Sequence, residues 1–189
     1  MIDLSHIRPA VPVEAIKAEL TQERFVRYTS KLNNEIYIVN VHNSPETVQE
    51  VGRLRELTFA SADGGTGKPV DLDELDLSDN PYQQLIVWNP EEEEIVGGYR
   101  FIDGATVAGG KGNPQHDLSM GHYFQFSPQF LEDYLPHSIE LGRSWVQPKY
   151  QPAVDPRKGM FALDNIWDGL GAIVLKYENM RHFYGKVTM

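Results

Sequence analysis

Apolar positions along this chain switch between a helical and an extended spacing. In PVEAIKAELTQERFVRYT (12–29), Ala15, Ile16, Leu20, Phe25 and Val26 are placed for one face of a helix. EIYIVNVHN (35–43), rich in Ile and Val, reads as a strand. Ser44-Pro45-Glu46 then supplies a helix start, with Val48, Val51, Leu54, Leu57 and Thr58 following at the helical period. YQQLIVWN (82–89) and EIVGGYRFIDG (94–104), joined by the turn NPEEE, predict an antiparallel hairpin. SPQFLEDYLP (127–136) has a short helix start at Ser127 and Pro128, and SIELGRSWV (138–146) reads as a strand. GMFALDNIWDGLGAIVLKYENM (159–180) puts Leu163, Ile166, Trp167, Leu170, Ile173, Val174 and Tyr177 at the helical spacing, and HFYGKVTM begins a last strand. This order predicts an α/β (α+β layered) fold, a mixed sheet flanked by helices.

The segments between these elements differ in kind. Residues 62–81, ADGGTGKPVDLDELDLSDNP, have no apolar period, and a loop of that length in a compact domain is usually functional or disordered. AGGKGNPQHD forms a second Gly-rich stretch, whereas the acidic run Glu91 to Glu94 reads as a solvated turn.

Length and charge then narrow the function. At 189 residues the chain suits one domain, 1–189, with 1–34 as a helical N-terminal extension. It has no cysteine, which removes disulfides, thiolate nucleophiles and Cys-based metal sites. The first twenty residues lack the basic and apolar regions of a signal peptide, and no run of about eighteen apolar residues occurs, so a cytoplasmic protein is expected. A net charge of −10 argues against general attraction to nucleic acid or an anionic membrane surface. The six histidines lack ligand spacing, so no metal is expected. GGTGKP fails as a phosphate loop because Ala62 and Pro69 stand at its outer positions, and there is no Gly-x-Ser-x-Gly elbow.

Several charges sit inside or beside apolar segments. Arg55 lies on a helix near Phe59, Asp76 and Asp79 close the acidic loop, Arg100 follows VGGY on a strand, and Glu140 and Arg143 share the strand 138–146. Residues three apart on a regular strand face opposite sides, so either Glu140 or Arg143 faces solvent or the strand is bulged.

RELTF (55–59), ELDLSDNPY (74–82), GGYRF (97–101) and IELGRSWV (139–146) resemble the four successive signatures of the acyl-homoserine-lactone synthases. The chain is more broadly similar, over roughly residues 48–189, to their relatives, the ornithine- and glycine-lipid N-acyltransferases called hemolysin-like acyltransferases, in the GNAT-like superfamily. The resemblance implies a twisted mixed sheet with splayed central strands, an acyl thioester in the gap and a bulge on the strand carrying Glu140 and Arg143. It implies transfer of a (3-hydroxy)acyl chain to the α-amine of a small amino acid, glycine or ornithine, in aminolipid synthesis.

In that chemistry the site must take a proton from the amine, stabilise an oxyanion and hold the donor's arm. Glu140 is the candidate base, while Arg143 suits either orienting Glu140 or binding the acceptor's carboxylate. The resemblance places Arg55, Phe59, Asp76, Asp79 and Arg100 around the acceptor, with a structural alternative in which the acids pair with Arg55 and Arg100 to pin the loop. For the donor it implies acyl carrier protein, or coenzyme A as second choice, with Trp145, Val146, Lys149, Arg157, Lys158 and Gly159 as contacts. Carrier proteins are acidic, and Arg143, Lys149, Arg157 and Lys158 stand against Asp155 alone along 143–159. The pyrophosphate loop of the superfamily is missing there, though the helix start near Gly159 offers a phosphate site. The resembling proteins continue beyond this chain's last strand, leaving two readings, a shortened chain or a strand completed by a partner. An acyl product makes peripheral contact with the inner membrane face compatible with the rest. A lactone-type signal synthase and a non-catalytic acyl- or carrier-binding module are the alternatives.

Overall fold

The computed structural model describes residues 3–186. Its helices are α1 (Val13–Glu19), α2 (Pro45–Ala60), α3 (Glu74–Leu77), α4 (Gly104–Ala108), α5 (Pro114–Asp117) and α6 (Pro156–Lys176). Its strands are β1 (Phe25–Tyr28), β2 (Glu35–Val39), β3 (Gln83–Asn89), β4 (Glu94–Asp103), β5 (Ser138–Val146) and β6 (His182–Gly185). The strands form one sheet in chain order, antiparallel except for the parallel pair β5–β6. The expected layered mixed sheet is therefore present.

Side chains along the central strands alternate between two helical layers. Leu85 and Val87 of β3, Tyr99 and Phe101 of β4 and Ile139 of β5 pack with Ile166 and Ile173 of α6. Ile86 and Trp88 of β3, Ile95 of β4 and Trp145 of β5 pack instead with Val48, Val51 and Leu54 of α2. Ile36, Ile139 and Ile173 are fully enclosed, each stabilising the fold by about 1.5–3 kcal/mol.

Residues 12–29 correct the expected helical extension. The helix ends at Glu19, and Phe25–Tyr28 pairs with β2 as the edge strand of the sheet. Four strand residues are too few to show an alternation in the sequence. α1 also completes α2 from outside. Ser44 holds the N-cap position but makes no side-chain cap bond. The Glu19 carboxylate accepts from the Glu46 and Thr47 backbone N–H groups at 3.1 and 2.7 Å instead. SPQFLEDYLP forms the short helix expected from Pro128 onward, winding into a π turn at Phe130–Tyr134 and a 3₁₀ turn at Leu135–His137.

α6 differs from its expected orientation at several positions. Ile166 and Ile173 are buried, yet Trp167 is 75% exposed, and Leu163, Val174 and Leu175 also face outward. Both faces of this helix carry apolar residues, so periodicity alone could not tell which one meets the sheet.

Candidate active site

β5 decides the site's shape. Opposite β4, Gly98 pairs with Trp145 and Arg100 with Gly142, so three steps on β5 match two on β4. That is a bulge, and Arg143 within it adopts φ = 51°. The extra residue puts Gly142 and Trp145 on the same side of the sheet and turns Arg143 toward the α2 layer, where Glu140 also points. The bulge expected from the Glu140–Arg143 spacing is present.

Arg55 lies on the buried stripe of α2 with Val48, Val51 and Thr58. At 0% exposure its guanidinium must find carboxylates, and the segment after α2 delivers them. Gly52 allows this, because a Cβ there would meet Leu72 Cγ at 2.6 Å; the Asp71 N–H donates to the Gly52 carbonyl at 2.9 Å. Arg55 Nε then donates to Asp71 at 3.2 Å and Nη1 to Asp76 at 3.3 Å. Arg100 Nη1 reaches Asp73 at 2.8 Å and Asp76 at 3.0 Å, and Gln84 Nε2 donates to Asp76 at 2.9 Å. Arg143 closes the network, with Nε 3.2 Å from Asp71 and Nη2 3.7 Å from Asp73. Three guanidinium groups thus face three carboxylates. Burial pushes the Asp73 carboxyl up, but Arg100 and Arg55 outweigh it and hold the group below its ordinary value.

The structure shifts the acidic motif by three residues. Asp76 is in the cluster, but Asp79 is exposed and lies outside it, its backbone carbonyl 3.3 Å from the His42 ring. An acid-x-Asp-x-x-Asp spacing occurs twice in this loop, and the first occurrence, Asp71-x-Asp73-x-x-Asp76, is the one folded against the arginines. Asp73 caps α3 in a reciprocal capping box with Asp76, which fixes both carboxylates. The structure shows the pairing of acids with Arg55 and Arg100 through Asp71, Asp73 and Asp76, with Asp79 outside it. Phe59 is half-buried in the apolar layer beside α2, apart from the ion pairs.

Glu140 is 1% exposed and bonded to neither arginine. Tyr82 donates its hydroxyl to Glu140 Oε1 at 2.8 Å, and the Met120 N–H approaches both carboxylate oxygens at 3.3 and 3.4 Å. Burial raises the carboxyl above its ordinary range, against the lowering effect of these donors. The idea that Arg143 orients Glu140 is thereby corrected, since Arg143 is held by Asp71 and Asp73. Tyr82, Gln84, Asp71 and Asp73 were not singled out in the sequence, although the repeated acidic spacing pointed to the last two.

Among the described residues the parallel pairing of β5 with β6 covers Ser138–Leu141, and a cleft of about 320 Å³ lies between the end of β5, α2 and the start of α6. Thr58, Ser144, Trp145, Val146, Gly159 and Leu163 are among its walls. Three expected donor contacts, Trp145, Val146 and Gly159, therefore line one space. Gly159 is required there because a Cβ would collide with the Pro152 backbone.

The expected basic surface does not form. Lys149 pairs with Glu92 and Glu94 at 3.0 and 2.8 Å, Lys158 pairs with Glu92, and Arg143 pairs with Asp71 and Asp73. Of the four cations, Arg157 alone is exposed without an ion pair among the described residues. Counting charges along 143–159 missed the acids that the β3–β4 turn brings across. The phosphate site at the start of α6 is also occupied from within. The Arg157 and Lys158 N–H groups donate to the Asp155 side chain, the Gly159 N–H to its carbonyl, and Pro156 has none to offer.

Comparison with known proteins places this geometry. The family described as "Acetyltransferase (GNAT) domain" matches residues 54–155, more than half of the chain. The chain belongs to this GNAT family. The GNAT domain is also 48% identical over 187 residues to a protein of Phocaeicola vulgatus named glycine N(alpha)-acyltransferase, covering 98% of this chain and 57% of that protein. A protein of the same name from Bacteroides thetaiotaomicron is 51% identical over 183 residues, 97% of this chain and 54% of its own. The chain thus spans about half the length of the curated relatives it matches. No solved structure matches it.

Proposed function

We propose that this GNAT domain is the N-acyltransferase part of a protein that moves a (3-hydroxy)acyl chain from a thioester to the α-amine of glycine, in aminolipid synthesis. The observation that carries the reading is the meeting of cleft and charge cluster at the bulge, where Ser144 lines the cleft and its neighbour Arg143 belongs to the cluster. The relatives' name favours glycine over ornithine as acceptor.

The chemistry assigns each group a task. The end of β5 lines the cleft and offers it backbone groups for an extended pantetheine arm, and the cleft receives the thioester. Arg143, its side chain 38% exposed, is the accessible guanidinium of the cluster and suits the acceptor's carboxylate. The amine nitrogen attacks the thioester carbon, the oxyanion forms and collapses, and the C–S bond breaks, with the thiolate taking a proton. Glu140 accepts the amine's proton, and its raised affinity for protons suits that task better than an ordinary carboxylate would.

Acyl carrier protein is the donor this reading favours. A coenzyme's phosphates would need free amides at the start of α6, and Asp155 uses those of Arg157 and Lys158. Carrier docking would rest on Arg157 and the cleft's rim, since Lys149 and Lys158 are already paired. No helix among the described residues is long and apolar enough to cross a membrane. Any contact with lipid is proposed as peripheral.

The test is mass spectrometry of the lipid product after mixing the protein with 3-hydroxyacyl carrier protein and glycine or ornithine. N-acylglycine is expected, with Glu140→Gln lowering turnover by about 10²–10⁴-fold. The deep burial of Glu140 favours one other reading, a non-catalytic acyl-binding module. That reading predicts donor binding without product, unchanged by Glu140→Gln.

A further inference from the structure

Tyr82 stands between the two charged groups of the site. Its N–H donates to the Leu75 carbonyl at 3.0 Å, tying the entry to β3 to α3. Its side chain is 1% exposed, and the Arg100 guanidinium carbon lies 4.8 Å from the ring centroid. Its hydroxyl donates to Glu140 Oε1 at 2.8 Å and accepts from the Ser119 N–H at 2.9 Å. With the ring against the cation and the hydroxyl on the carboxylate, this one side chain connects the arginine cluster to Glu140.

We propose that Tyr82 is a positioning residue for Glu140, fixing the orientation of its carboxylate relative to Arg100 and the bulge. The inference rests on the reading of Glu140 as the base. A hydroxyl that both donates and accepts cannot rotate freely, so Oε1 is directed by a fixed donor. The other groups facing Glu140 do not duplicate this. The Met120 N–H approaches at longer distance, and Arg100 acts through space. Tyr184 lies at Glu140's own register position on β6, and its buried hydroxyl also faces the carboxylate and lowers its proton affinity, but without the hydrogen-bond geometry that holds the Tyr82 hydroxyl from both sides. The Tyr82 hydroxyl stabilises the ionised form, and its removal therefore raises the proton affinity of Glu140.

Tyr82→Phe tests this, because it keeps the ring against Arg100 and removes only the hydroxyl. Carbon-13 NMR of the Glu140 side-chain carboxyl, assigned by its loss in Glu140→Gln, reads the titration without any substrate. The midpoint is expected to rise by about one to two pH units in Tyr82→Phe, and by much less in Tyr184→Phe. The acid limb of kcat should move up with it, while KM for the donor stays within about twofold. An unmoved midpoint with an unmoved acid limb overturns the positioning role, even if the variant is less stable. If Glu140→Gln retains full turnover, the base assignment fails. If Glu140→Gln is inactive while Tyr82→Phe matches the wild type, only the inference about Tyr82 falls.

Discussion

The two sides of the sheet bury comparable strands in opposite ways. Toward α6, Leu85, Tyr99, Phe101 and Ile139 meet Ile166 and Ile173 in a packing of apolar groups. Toward α2, the alternate positions Gln84, Arg100 and Glu140 are also buried, but they meet Arg55, Asp76 and Tyr82. Enclosing apolar groups stabilises the fold directly, whereas enclosing ions costs desolvation that the pairing has to offset. Buried Arg55 Nη2, Arg100 Nε and Gln84 Oε1 even lack partners among the described residues. The α6 side is therefore apolar throughout, whereas the α2 side joins its own apolar layer around Ile86, Trp88 and Val51 to an ion cluster that is expensive to enclose.

The contrast breaks first at Arg100. Arg100→Ala leaves Asp73 and Asp76 without their shared cation, and denaturant titration should show a loss of about 3–5 kcal/mol together with loss of product. A loss below about 1 kcal/mol would mean that the cluster relaxes easily, and the comparison would fail. Next, Ile173→Ala opens a cavity on the apolar side and is expected to cost about 2–5 kcal/mol, with turnover per folded molecule unchanged. A fall in turnover at full folding would show that the α6 side also takes part in the chemistry. Smallest is Asp79→Ala. Lying outside the cluster, it should change stability by no more than about 0.5 kcal/mol and leave product formation intact, sharpening the boundary between Asp76 and Asp79.

The sequence made the scaffold legible where a signal was long or punctuated. Pro45 and the spacing from Val48 to Thr58 marked α2, and NPEEE marked the β3–β4 hairpin. The Glu140–Arg143 spacing announced the bulge, because only an irregular strand gives both residues a buried partner on one side. Where the signal was short or duplicated, reading failed. Phe25–Tyr28 was absorbed into a neighbouring helix, and the acidic motif had two registers that only Gly52 and the α3 capping box distinguish. Lys149 and Lys158 looked free because their partners Glu92 and Glu94 lie more than fifty positions away in the chain. Such pairings follow from the sheet's topology, and residue spacing carries no trace of them.

Arg143 places two selection pressures on one position. Its φ of 51° is a conformation that glycine adopts freely and that other residues enter at a cost of about 1–2 kcal/mol. Drift toward stability alone would favour glycine there, joining Gly142 in a pair that relieves the strained backbone. Glycine would also delete the side chain that reaches Asp71 and Asp73. A stabilised variant selected without regard to activity should therefore accumulate Arg143→Gly early. Persistence of arginine at this position under the same selection would mean that its ion pairs, and not catalysis, are what the fold cannot do without.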